Sequence, residues 1–132
     1  MNALRKLGVT AVVGAALVVP VVTAVSASAA PTGRPGVSAT GSCTGGGTWE
    51  LKAKTDDGQL EVEFEVDTNV AGQRFTVKVF DGPTTVFNGK AATAGRSGSF
   101  SVERLTADRA GVDTITARAS RPGNVCAGTI RI

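Results

Sequence analysis

Histidine and tyrosine are absent from this chain of 132 residues, and cysteine occurs only twice. Without histidine there is no Ser-His-Asp or Cys-His activation of a nucleophile and no zinc site of the common kinds. A carboxylate pair or a Ser-Lys dyad would need only two side chains that the fold brings together, and nothing in the spacing singles one out. The chain therefore reads as a non-enzyme, with no catalytic residue, no cofactor and no metal site to assign. The lack of tyrosine, beside a single tryptophan, leaves too few rings for an exposed aromatic platform. No helical period follows the first thirty residues, which excludes a helix bundle.

The first thirty residues carry the strongest signal. A short basic start (Arg5, Lys6) leads into an apolar run from Leu7 to Val19, then Pro20 and a small-residue exit, Ala27-Ser28-Ala29-Ala30. This is the pattern of a secretory signal peptide, residues 1–29, cut before Ala30 because a bond to Pro31 is a restricted tertiary amide. A membrane anchor is the other reading, but Pro20 and the small residues weaken a span of the roughly 20 apolar residues a bilayer needs. Export places the protein outside the cell. Removing Arg5 and Lys6 from 14 Lys plus Arg, against 11 Asp plus Glu, brings the chain close to neutral. With the two signs interspersed along the sequence, no electrostatic case for nucleic acid or for an anionic membrane remains.

Residues 30–41 are mostly Pro, Gly, Ser, Thr and Ala, too poor in apolar surface to offset their ordering entropy, and read as a flexible leader. The folded domain is then 42–132, about right for one unit. Within it, apolar and polar residues alternate at a period of two, the mark of strands buried on one face. Trp49, Leu51 and Ala53 share a face; Leu60, Val62, Phe64 and Val66 share another; Phe75, Val77 and Val79 a third. Shorter runs span Thr85 to Phe87, Ser99 to Leu105, Val112 to Ala119 and Val125 to Ile132, with Gly and Pro between them. About seven strands in an all-β chain predict an antiparallel sandwich, with a small barrel as the alternative.

In an oxidising compartment Cys43 and Cys126 read as a disulfide that staples the two ends of the domain. The alternative is a pair of free thiols, but without a Cys-x-x-Cys or a histidine they make a poor metal site. Trp49 is in phase with Leu51 and is expected in the core. Glu61, Glu63 and Glu65 point one way at about 7 Å spacing and require cations, which Lys52 and Lys54 on one neighbouring strand and Arg74 and Lys78 on another are expected to supply. A straight ladder does not converge as calcium ligands must. The stretch from Asn88 to Gly98 reads as the longest loop, a contact surface with Lys90 and Arg96 as polar handles.

Cys43, Trp49-x-Leu51-Lys52-x-Lys54, Asp57-Gly58, the run from Glu61 to Asp67, Ser97 to Val102, Asp108-x-x-Gly111-x-Asp113 and Ala117-Arg118-Ala119 together resemble a group of small secreted actinobacterial proteins. The resemblance implies export and an immunoglobulin-like sandwich. The stretch from Asp108 to Ala119 is similar to the corner before the penultimate strand of immunoglobulin-like domains, although antibody-type domains place a tyrosine and a cysteine there. Actinobacterial apoproteins that carry enediyne chromophores share the size, export signal and sandwich class but have two disulfides, whereas this chain can form only one. The expected function is a secreted, monomeric, non-enzymatic module that binds an extracellular protein or cell-surface component or serves structurally. A carrier of a small apolar ligand in a cleft of the sandwich is the alternative, and a secreted hydrolase inhibitor a third reading.

Overall fold

Period-two alternation becomes strand at each of the seven places where it was expected, and one further strand precedes them. The computed structural model describes residues 14–15 and 35–132; the signal peptide expected over 1–29, apart from 14–15, and its expected cleavage before Ala30 lie outside those residues. The strands are β1 (Val37–Ser42), β2 (Thr48–Asp56), β3 (Gln59–Asp67), β4 (Arg74–Asp81), β5 (Thr84–Ala92), β6 (Ser99–Ala107), β7 (Thr114–Arg121) and β8 (Asn124–Arg131). They form two four-stranded sheets, in the orders β1-β2-β3-β6 and β5-β4-β7-β8. Every pairing is antiparallel. The fold is an all-β antiparallel sandwich, and its strand order is compatible with an immunoglobulin-like architecture.

The inward faces meet as the alternation requires. Leu51, Leu60, Phe64 and Val66 from the first sheet and Phe75, Val77 and Ile115 from the second are fully enclosed. The rings of Phe75 and Phe100 touch across the sheets, tilted at 51° with centroids 5.6 Å apart, a favoured aromatic geometry. Among the described residues no helix is long and apolar enough to cross a membrane.

Of the flexible leader expected over residues 30–41, residues 30–34 lie outside the described residues and residues 37–41 are strand. Val37–Ser42 is not flexible coil but pairs with β2, from Val37 opposite Ala53 to Ser42 opposite Thr48. Its inward residues are small because Trp49 occupies the space beside them. A Cβ on Gly41 would stand 2.6 Å from the indole, and one on Gly128 of β8 would also collide with it. Glycine in a strand interior here marks close approach. Trp49 is accordingly half-buried between β1 and β8, packed against the core.

Cys43 and Cys126 are bonded, closing a loop of 83 residues in sequence separation. Cys43 lies in the turn after β1 and Cys126 in β8, so the bridge links the two sheets as well as the two ends of the domain. Backbone and side-chain bonds seat that turn on β8: Thr44 N–H donates to the Val125 carbonyl at 2.9 Å, Gly45 N–H to Asn124 Oδ1 at 2.8 Å, and Asn124 Nδ2 to the Gly46 carbonyl at 3.0 Å.

Candidate functional site

The loop expected from Asn88 to Gly98 does not exist as one segment. Its first half is strand: Lys90 lies within β5, exposed and opposite Thr76 of β4. Small residues belong there because Gly89 faces the Phe87 ring, whose Cζ a Cβ would approach to 3.0 Å. The second half is a tied turn. Thr93 is buried, and its hydroxyl donates to the Val70 carbonyl at 2.6 Å while accepting from Gln73 N–H at 2.9 Å. Arg96 is exposed near the tip of that turn, so Lys90 and Arg96 belong to different elements rather than to one mobile contact loop.

The glutamate ladder has other neighbours than expected. Lys52 and Lys54 do lie opposite Glu63 and Glu61 on β2, and Lys54 bonds Glu61 at 3.4 Å. Lys52 bonds Glu50 at 3.0 Å, and the carboxylates of Glu50, Glu63 and Glu65 hold its ammonium above the usual lysine range. On the other side stands β6, which puts Glu103 directly opposite Glu63. Arg74 and Lys78 are on β4, in the other sheet, because the chain crosses over after β3 and returns only with β6.

That crossing separates the charges. The strands of the first sheet carry seven carboxylates (Glu50, Asp56, Glu61, Glu63, Glu65, Asp67, Glu103) against Lys52, Lys54 and Arg104. Those of the second carry Arg74, Lys78, Lys90, Arg118, Arg121 and Arg131 against a single carboxylate, Asp81, which is 2% exposed. Register places Lys90 beside Thr76 and Arg118 beside Lys78, all on the outward phase of the sheet. The near-neutral, interspersed sequence thus folds into one acidic and one basic face, and the premise that set aside anionic surfaces fails.

At the end of the basic face where β7 turns into β8, a hollow of about 490 Å³ is lined by Arg74, Thr76, Lys90, Arg118, Ser120 and Arg121. Arg121 continues the inward phase of Ile115, Ala117 and Ala119 to the sandwich end, where its guanidinium lies 5.8 Å from the Phe75 ring centroid. Its Nη1 is enclosed, and no oxygen of the described residues accepts from it. Two further hollows lie on the first sheet: one of about 300 Å³ between β1, β2 and β3 around Lys52, Lys54 and Glu61, and one of about 270 Å³ beside Trp49, Glu50 and Glu65. Each of the three is lined by one sheet alone, and none opens between the sheets.

The fold does bring two carboxyls together, Asp81 at the end of β4 and Asp113 just before β7, 2% and 4% exposed. Burial, then the Asp113 charge and its hydrogen bond, raise the Asp81 carboxyl above the ordinary aspartate value of 3.8, with Arg109 opposing. Neither residue lines any of the three hollows. A raised carboxyl favours folding while protonated and withdraws that stability as pH rises through its folded pKa. Asp81→Asn is therefore expected to raise Tm at neutral pH and to change it little in acid below pH 3.8. Thermal melts of both proteins from acid to neutral pH check this; parallel curves would refute it. Among the described residues no group of three or more His, Cys, Asp or Glu could hold a metal.

No family model, no curated protein and no solved structure matches the chain.

Proposed function

We propose that the protein is exported and acts outside the cell as a non-enzymatic binding module, monomeric, holding a cell-surface component or an extracellular protein on the outer face of its second sheet. The observation that carries this reading is the outward row of Arg74, Lys78, Lys90, Arg118 and Arg131 with no carboxylate among them. Among the described residues the ion pairs seen, Lys52–Glu50 and Lys54–Glu61, both belong to the opposite sheet, so the basic row is left for an anionic partner. The signal pattern of residues 1–29 and the disulfide fit an oxidising, extracellular setting. An apolar-ligand carrier gains no support, since the inner faces are filled by each other's side chains.

Binding of the protein to intact cells or wall fragments is expected to weaken by roughly tenfold or more when Lys78 and Arg131 are both changed to Glu, and to fall with added salt. The Lys52→Glu protein, altered on the acidic face, should bind as the parent does, and EDTA should change nothing. Binding indifferent to the Lys78 and Arg131 reversals would overturn the reading, as would turnover of an ester, peptide or glycoside substrate that disappears on replacing one carboxylate.

A further inference from the structure

The basic face is not uniform, and its hollow has a chemistry of its own. Arg74, Lys90 and Arg118 stand around Thr76 and Ser120, and the register explains why: Thr76 pairs with Lys90 on one side and Ser120 on the other, with Arg74 and Arg118 each two residues along their strands. Four cationic side chains and two hydroxyls meet here with no carboxylate in the lining. Like charges gathered this way repel unless an anion sits among them.

Arg121 supplies the independent observation. Its guanidinium is held against the Phe75 ring at the sandwich end, and its Nη1 is buried without an acceptor. Nη1 itself has no surface open to the hollow, so an oxyanion there would accept from the other N–H groups of the planar guanidinium fork, a geometry such anions match. The polar part of the lining is cations and hydroxyls suited to an oxyanion; the rest is Pro122, Val125 and Phe75, and the Phe75 ring is fully buried. A nucleobase would find no exposed face to stack on, whereas a sugar or polyol repeat could place hydroxyls against Thr76 and Ser120.

Deepening the reading above, and resting on it, we infer that the hollow formed by Arg74, Lys90, Arg118 and Arg121 is a site for a tetrahedral oxyanion, a phosphate or sulfate ester carried on an extracellular sugar or polyol polymer. The guanidinium of Arg121 fixes the oxyanion from below and the three outer cations close around it. The rest of the row, Lys78 and Arg131, lies outside the hollow lining and contributes only the long-range field.

The test follows the arginine side-chain Nε–H signals of protein produced from the full sequence during titration with inorganic phosphate and, separately, inorganic sulfate. The Arg121 and Arg118 signals are expected to shift at millimolar anion. A phosphodiester-linked glycerol polymer and dextran sulfate should give the same shifts at lower concentration, and whichever acts at the lower concentration per charge identifies the ester. Arg121→Gln should weaken phosphate binding by about tenfold or more, while Arg121→Lys, which keeps a cation over Phe75, should recover part of it and shows that the site's loss is not misfolding. Lys52→Gln, on the opposite sheet, should leave the phosphate midpoint nearly unchanged. Arginine signals that stay still at tens of millimolar phosphate would overturn the site; if Lys78 and Arg131 reversals still weakened cell binding, the basic-face reading would stand without it. An oligothymidylate bound more tightly than either polymer of equal charge would overturn the sugar or polyol occupant.

Discussion

The protein with both Cys43 and Cys126 replaced by serine is expected to be less stable than the parent by up to roughly 4–5 kcal/mol, because the bond closes 83 residues of chain and its loss releases that much conformational freedom in the unfolded state. Urea unfolding of the two proteins measures it. The midpoint should fall, and the slope should steepen because an unlinked unfolded chain exposes more surface. The figure is an upper bound, since the Thr44, Gly45 and Gly46 bonds to Asn124 and Val125 continue to hold the turn on β8 after the sulfurs are gone. A loss under about 1 kcal/mol would mean that those bonds, rather than the cross-link, join the two ends. Two titratable thiols in the native parent protein would refute the bridge itself.

What alternation could reveal and what it could not differ for a physical reason. Strands that bury large side chains announce themselves: Leu60, Val62, Phe64 and Val66 can only face inward together, and β3 spans the expected residues. Val37, Ala39 and Gly41 are no less inward, but the volume that would make β1 legible belongs to Trp49. Gly89 and Ala91 disguise the second half of β5 in the same way, beside Phe87. Pairing of the cysteines needed only their number and the oxidising compartment that the signal pattern implies.

Strand order is the layer that period-two pattern does not encode. The alternation puts Glu61, Glu63 and Glu65 on an outward phase without saying whether β4 or β6 lies alongside, and the whole charge distribution turns on that choice. Balanced charge over residues 35–132, eleven cations against eleven carboxylates, is consistent with a mixed surface or with two opposed faces. Only the assignment of β4, β5, β7 and β8 to one sheet separates the two, because those four strands hold six cations and one buried carboxylate. Arg121 was still harder to anticipate. It sits three residues after Arg118, on the opposite phase of the same strand, and reaches the hollow only because the strand ends there.

Phe64→Ala is expected to cost roughly 3–5 kcal/mol, and Glu63→Ala, one residue away, under about 0.5. Phe64 is fully buried between Leu51 of β2 and Val102 of β6, both of which also face the core. Removing its ring forfeits the transfer of a large apolar side chain out of water and leaves a cavity that two paired strands cannot close. Glu63 faces outward, with Lys52 opposite on one side and Glu103 on the other. Its attraction to the lysine and its repulsion from the glutamate are of the same small size, each screened by solvent. Their opposition is the reason for expecting almost no change, and it gives the pair of variants their discriminating force. High salt should narrow the small Glu63 effect further and leave the Phe64 effect intact, because screening acts on the charges and not on the cavity. Chemical unfolding of both variants at low and high salt reads all four values; comparable losses at the two positions would mean that β3 sits one residue out of register and that its inward and outward faces are exchanged.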